Sequence, residues 1–261
     1  MTEILNKYDS ITLDEMRGIK LMNRIDTKFV TTVPKLKQLL ELAKDDYYGQ
    51  ESDSLRIAPY YTLYFDTADC AMYNRHETGQ LDRQKIRIRS YVSAGLSFLE
   101  VKTKNNHGRT KKKRVAMENF DAMNPDHEIR FQRQDKTFEG YDDFLRTHLR
   151  YEPTALIQQL ENRFDRITLV NKAKTERLTI DTNLRFHNIA TGNYRFMDQI
   201  VIIELKRDGL KPSPILPLLC QLHIRPHGFS KYCIGSAFTN DALRRNRIKP
   251  RLHSVERIMK R

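Results

Sequence analysis

Between Asp82 and Val115 every second residue of one run is a cation or an aromatic ring: Arg83, Lys85, Arg87, Arg89 and Tyr91, with Ile86 and Ile88 between them. That period of two predicts a strand with one cationic and one apolar face. After a turn at Ala94-Gly95 the pattern returns, with Phe98, Glu100, Lys102 and Lys104 on one side and Leu99 and Val101 on the other. Paired, the two strands bring Arg87, Arg89, Glu100 and Lys102 together. A third basic run, Arg109 to Arg114, follows the loop Asn105 to Gly108, and its four consecutive cations leave its facing open. Guanidinium groups bind phosphate oxygens two at a time and ammonium groups act as mobile point charges, so such a surface suits a polyanion. A single strand of this kind would be read as the solvated face of an antiparallel sheet.

The pattern recurs. Arg24, Asp26 and Lys28 alternate with Ile25, Thr27 and Phe29; Arg177, Thr179 and Asp181 alternate with Leu178 and Ile180; Glu204 and Lys206 oppose Val201, Ile203 and Leu205. On these faces about ten cations stand against about four acids. Facing outward, the excess needs no explanation. Facing inward, neighbouring like charges at about 4 Å repel by roughly 4 kcal/mol at an effective dielectric near 20, and a multiply charged anion would relieve them. Glu204, isolated among Ile and Leu, needs Lys206 or a metal to compensate its charge. Many short strands, each with an apolar face, and several amphipathic helices predict an α+β fold: a closed antiparallel β-barrel with a charged lumen, covered outside by helices.

The elements that would position these faces follow in order. The first twenty residues, with Ile11, Leu13, Met16, Ile19 and Leu21, predict a short helix, and Asn23 to Thr32 a strand. Pro34 opens a helix to about Lys44, with Leu36, Leu39, Leu40 and Ala43 as its buried stripe. Tyr60 to Thr67 is a strand, Glu118 to Asp135 irregular, Tyr141 to His148 helical, and Pro153 starts a helix toward Leu160. Strands follow at Arg166 to Val170, Glu176 to Thr182 and Ile200 to Lys206, then helices from Pro214 to His223 and from Lys231, which Ser230 caps. Residues 244–261 read as a basic tail. His76 and His107 read as loop histidines, and Tyr64 as packing.

With 261 residues, 39% of them hydrophobic, and no internal repeat or low-complexity linker, a single domain over residues 1–261 is expected. The formal charge of +13 predicts an anionic partner. Cys70, Cys220 and Cys233 lack metal-ligand spacing and no secretion signal precedes them, so a reduced, cytoplasmic setting is expected. No run approaches the roughly 20 apolar residues of a transmembrane segment.

The sequence resembles the vacuolar transporter chaperone (VTC) domain, the polyphosphate polymerase branch of the triphosphate tunnel metalloenzymes. Its matching segments run in order from the strand with Arg24, Asp26 and Lys28, through YFDT, HETGQLDRQKIRIRSY, FLEVKTK, ENRFDR, RLTIDTNLRF and VIIELK, to GFSKYCIG, a core of about residues 20 to 240. The resemblance implies a tunnel that binds a nucleoside triphosphate such as ATP and moves its γ-phosphate onto inorganic polyphosphate or pyrophosphate. It implies that Lys28, Arg87, Arg89, Lys102, Arg163, Arg177 and Lys231, with Lys112 of the basic run, hold phosphates and that Glu204 holds Mn²⁺ or Mg²⁺. Phosphoryl transfer needs charge neutralisation and in-line positioning more than a covalent nucleophile, which such a set supplies. One departure is Gly228, beside His227, where the family's terminal motif places a second lysine. A hydrolase using water as acceptor in the same tunnel and a non-catalytic polyanion binder are the alternatives; nucleic acid is not an expected partner, since no recognition module is present.

Overall fold

The computed structural model describes residues 1–17, 19, 24–52, 54–118, 120–123, 129, 131, 140–209 and 211–260. In chain order the elements are α1 (Thr2–Leu5), β1 (Asp9–Ile11), α2 (Leu13–Arg17), β2 (Arg24–Thr32), α3 (Val33–Ala43), β3 (Tyr47–Gln50), β4 (Ala58–Thr67), α4 (Ala71–Glu77), β5 (Arg83–Tyr91), β6 (Leu96–Lys104), β7 (Thr110–Met117), α5 (Tyr141–His148), β8 (Leu156–Asn171), β9 (Glu176–Asn188), β10 (Tyr194–Met197), β11 (Ile200–Asp208), α6 (Ile215–Gln221), α7 (Lys231–Thr239) and α8 (Lys249–Met259). The strands form one 11-stranded sheet with the order β2-β11-β9-β8-β4-β5-β6-β7, to which β10, β3 and β1 are appended. Among the described residues all pairings are antiparallel except that of β1 with β3.

The expected α+β fold and large antiparallel sheet are present, but closure by hydrogen bonds is not. Among the described residues β11 is the one strand paired with β2 and β6 the one paired with β7; the other edge of β2 carries an isolated bridge from Phe29 to Pro226 and the His227 amide's bond to the Lys28 carbonyl, so β2 and β7 do not meet and the path has two ends where a closed barrel has none. The sheet still curls: Lys102 on β6 lies within electrostatic reach of Lys28 and Asp26 on β2 and Glu204 on β11, strands from the other end of the path.

Two β-bulges account for the misread strands. Residues 153–160 were expected as a helix, yet a 3₁₀ turn at Pro153–Ala155 leads directly into β8. The β4–β8 register shifts between Tyr64 and Phe65, leaving Gln159 as an extra residue, so Leu156 and Leu160 pack on opposite faces of the sheet. Four residues apart, they imitate a helical stripe. In β9 the expected strand end at Thr182 is instead a bulge at Asn183, whose φ of +52° is the left-handed conformation that asparagine tolerates. Beyond it the inward positions switch from odd to even numbers, and the strand continues to Asn188.

At the N-terminus, β1 separates two short helices where one helix was expected; Leu21 and Asn23 lie outside the described residues. So does most of the expected irregular stretch from Glu118 to Asp135. Residues 244–261 differ from a solvated tail: α8 buries Leu252 and Val255. No described helix is long and apolar enough to cross a membrane.

Three large apolar clusters hold the fold, with a small fourth of Ile11, Met16 and Val170. On the outside, Leu36 and Leu40 of α3 and Leu219 of α6 cover Ile167, Leu178 and Ile203. Leu145 of α5 and Met72 of α4 cover Leu63, Ile88 and Leu99. The third cluster is on the inner face, where Tyr232, Cys233, Ile234 and Ala237 of α7 pack against Val30, Tyr64, Leu160, Phe186 and Ile202. The helix α7 thus plugs one end of the trough, and α8 backs it through Leu252 and Val255. Asp66 ties the plug down: it accepts hydrogen bonds from the Met72 and Tyr73 backbone amides at the start of α4 and from the Tyr232 hydroxyl at 2.5 Å.

Candidate functional site

Register decides which charged side chains meet. On β5 and β6, Arg87 lies opposite Glu100 and Lys85 opposite Lys102, while β7 sets Lys112 beside Lys102. Across the trough, Glu204 of β11 lies between Lys28 and Thr179, Lys206 lies between Asp26 and Arg177, and Arg166 lies opposite Asp181. The apolar partners Ile86, Ile88, Leu99 and Val101 all turn to the outer core. The charged face looks inward: side-chain exposure is 18% for Arg87, 14% for Arg166, 13% for Lys206 and 11% for Lys231.

Three carboxylates organise these cations. Glu100, 1% exposed, accepts from Nε and a terminal nitrogen of Arg87 at 2.8 and 2.7 Å and from Lys112 Nζ at 2.9 Å. Burial pushes its pKa up, but Arg87, Arg89 and Lys112 outweigh burial and lower it to about 2. Asp181 receives a two-pronged contact from Arg166, at 2.6 and 2.8 Å, and an ion pair from Lys231. Arg177, on the same face of β9, lies opposite Lys206. Glu204 pairs with Lys206 and, at 3.8 Å, with Lys28, so despite its burial it is held well below the usual carboxylate range.

The remaining cations are left over. Among the described residues no carboxylate pairs with Arg89, and its Nε is buried without a hydrogen-bond partner. Burial, then Arg87 and Arg166, lower its pKa to about 10. Burial likewise lowers Lys85 and Lys102 to about 8, and Lys231 to about 7 although Asp181 opposes the shift. Among the described residues Lys85 donates to Ser230 Oγ, at 2.7 Å, and weakly toward the Cys233 sulfur. A buried guanidinium flanked by two others is costly unless an anion compensates it.

Of the residues singled out in the sequence, Lys28, Arg87, Arg89, Lys102, Lys112, Arg177, Lys231 and Glu204 share this inner face. Arg163 does not. It lies opposite Tyr61, stacks its guanidinium 4.8 Å from that ring and donates to the Ala122 carbonyl at 3.2 Å, all on the outer side. Three residues on, and therefore of opposite parity, Arg166 takes the inward place. Strand parity is the signal that separates the two, and it was hidden when residues 153–160 were read as helix. Arg166→Gln is expected to weaken tripolyphosphate binding by about 10- to 100-fold, the size of one or two charge-assisted hydrogen bonds. Arg163→Gln is expected to leave it unchanged. Calorimetric titration of both variants checks this, and equal losses would contradict the facing. Tyr64 packs as expected, its ring stacked on Tyr232 at a 5.2 Å centroid separation.

Among the described residues, no three or more His, Cys, Asp and Glu side chains gather as a ready-made metal cage. The donor set nevertheless fits a metal carried by phosphates: Glu204 is ionised, inward and 24% exposed. Magnesium and manganese are commonly held by one or two carboxylates together with substrate oxygens.

No curated protein matches the sequence. Solved structures similar to it include a candidate adenylate cyclase from Bacillus halodurans, at 15% identity over 80% of this chain and 96% of that one with a TM-score of 0.45. Another is a candidate adenylyl cyclase from Hippeastrum, described as having a dominant triphosphatase activity, at 14% identity over 83% and 96% with a TM-score of 0.47. The VTC domain model matches residues 23–240, from the strand that carries Lys28 through the helix that carries Lys231, and the chain therefore belongs to the VTC domain family.

Proposed function

We propose that the inner face binds a nucleoside triphosphate and transfers its γ-phosphoryl group to the end of a polyphosphate or pyrophosphate acceptor, with residues 1–261 working as one tunnel domain. The observation that carries this reading is the buried row Arg87, Arg89 and Arg166, whose middle member feels the Glu100 charge but, among the described residues, has no ion pair and no hydrogen-bond partner for its Nε. Glu100 and Asp181 hold the outer two guanidiniums by some of their N–H groups, fixing their planes. Phosphate oxygens then meet preset donors, which is the electrostatic preorganisation this transfer needs. Lys28, Lys102, Lys112, Arg177 and Lys231 extend the cationic surface along the trough. In the transfer an acceptor oxygen bonds to the γ-phosphorus, the bond to the β-phosphate oxygen breaks, and the nucleoside diphosphate leaves. Glu204 would hold the divalent cation, Mn²⁺ or Mg²⁺. That ion would neutralise charge on the bridging phosphate oxygens. Binding of the anion across β2 and β7 would complete the tunnel wall that the hydrogen bonds leave open.

A second reading, hydrolysis of tri- or polyphosphate with water as acceptor, is favoured by the plug α7, which makes one end of the trough blind and suits a short substrate. Phosphorus NMR of the protein with ATP and Mn²⁺, with and without pyrophosphate, separates the two. Transfer is expected to produce a growing mid-chain signal together with ADP. Free phosphate alone would assign the hydrolase, and no turnover would overturn both.

A further inference from the structure

Beside the N-terminus of α7 a line of cations leads outward from the inner face: Lys28 and Lys85, then Arg83, then Arg251 of α8. Lys28 donates to the Phe229 carbonyl at 3.1 Å and Lys85 to Ser230 Oγ at 2.7 Å, which places both against the segment that precedes α7. In that segment Gly228 lies against Arg251: a Cβ at residue 228 would stand in ordinary contact, 3.7 Å from Arg251 Cζ.

Arg251 also reaches the other side of the line. His76, expected in a loop, sits in the last turn of α4 with a buried Nδ1 that has no hydrogen-bond partner among the described residues, and the charged groups around it are Lys85, Arg83, Arg251 and Lys28. His227 Nδ1 is buried and, among the described residues, unpaired as well, with Arg251 its charged neighbour. Burial and these cations keep both imidazoles neutral, so neither adds to the positive charge. Among the described residues no carboxylate pairs with Lys85 or Arg251, and Arg83 donates only to the Gln80 carbonyl. Arg251 lies outside residues 23–240, the span shared with the family.

We infer that Arg251, with Arg83 and Lys85, forms a second anion subsite beside the plug, which takes phosphate groups of a polyphosphate chain passing between the trough and the surface. Its identity as a polyphosphate subsite rests on the proposed function; its existence as an anion subsite does not. It also gives a long chain a route past the blind end.

The test is equilibrium binding of medium-chain polyphosphate, without metal or nucleotide, measured by calorimetry at fixed ionic strength. Arg251→Ala and Arg251→Gln are expected to lower affinity about tenfold, one charge-assisted contact, relative to the charge-matched control Arg257→Ala on another face of α8. Gly228→Lys added to Arg251→Ala is expected to restore most of the loss, because it returns a cation to the same space. Arg251 variants that bind like the Arg257 control would overturn the subsite. So would a loss that Gly228→Lys leaves untouched, which would make Arg251 a packing residue. Failure of the unaltered protein to bind polyphosphate would instead overturn the proposed function, and Arg251 variants are then compared with tripolyphosphate as the probe.

Discussion

Glu204→Gln is expected to abolish most turnover while leaving polyphosphate bound at least as tightly. The variant keeps the shape of the side chain but removes the charge that Lys28 and Lys206 hold in place. A metal acting on phosphate oxygens contributes several kcal/mol of transition-state stabilisation, so losing its carboxylate should slow turnover about 100-fold or more. Binding follows the opposite sign, because one negative charge leaves a face already in cationic excess. ADP release measures the first effect and calorimetry with tripolyphosphate the second. Electron paramagnetic resonance of Mn²⁺ titrated into the protein with tripolyphosphate reads the ion directly. Unchanged manganese affinity in the variant would remove Glu204 from the metal site.

Gly235→Ala is expected to cost the most stability of any small substitution in the inner cluster. A Cβ there would stand 2.4 Å from Phe186 Cδ1 and 2.8 Å from Leu160 Cδ2, and both side chains are buried. Overpacking of this kind costs about 1–3 kcal/mol. For a chain of this size each kcal/mol lowers the midpoint by about 2–4 °C. Since α7 also carries Lys231, phosphate affinity should fall with stability. Calorimetric melting of the variant measures the first effect, and a midpoint equal to that of the unaltered protein would show that the plug packs loosely.

The strands legible in the sequence were those whose alternation runs unbroken. Arg83 to Tyr91, Leu96 to Lys104 and Ile200 to Lys206 each keep one parity from end to end, so their inward residues could be named. Where a bulge resets parity, the reading failed: Leu156 and Leu160 looked helical, and the strand through Asn183 appeared to stop. The same break explains Arg163, chosen from its motif without a strand to give it a side. Asp181 was legible as part of a charged strand face, but its partners Arg166 and Lys231 come from a neighbouring strand and a distant helix, and single-strand alternation carries no register between them. The open path from β2 to β7 was out of reach for a related reason, since closure depends on how far a curled sheet travels around. Arg251 was out of reach because a run of basic residues gives no sign that Leu252 and Val255 bury one side of it.

The plug has a consequence for how the molecule is made. The inner apolar cluster joins Val30 to Val255, far apart in sequence, so it forms only once the chain as far as Val255 has been made. Until then Tyr64, Leu160 and Phe186 have no cover, and the edge strand β2 waits for β11, some 170 residues later by number, before it is paired at all. Contacts so distant in sequence slow folding and lengthen the time that strand edges and apolar surface stay open. On the proposed function, an anion that fits the finished trough would act on this step, screening the mutual repulsion of Arg87, Arg89 and Arg166 as the strands curl together. The bound anion would then also assist folding.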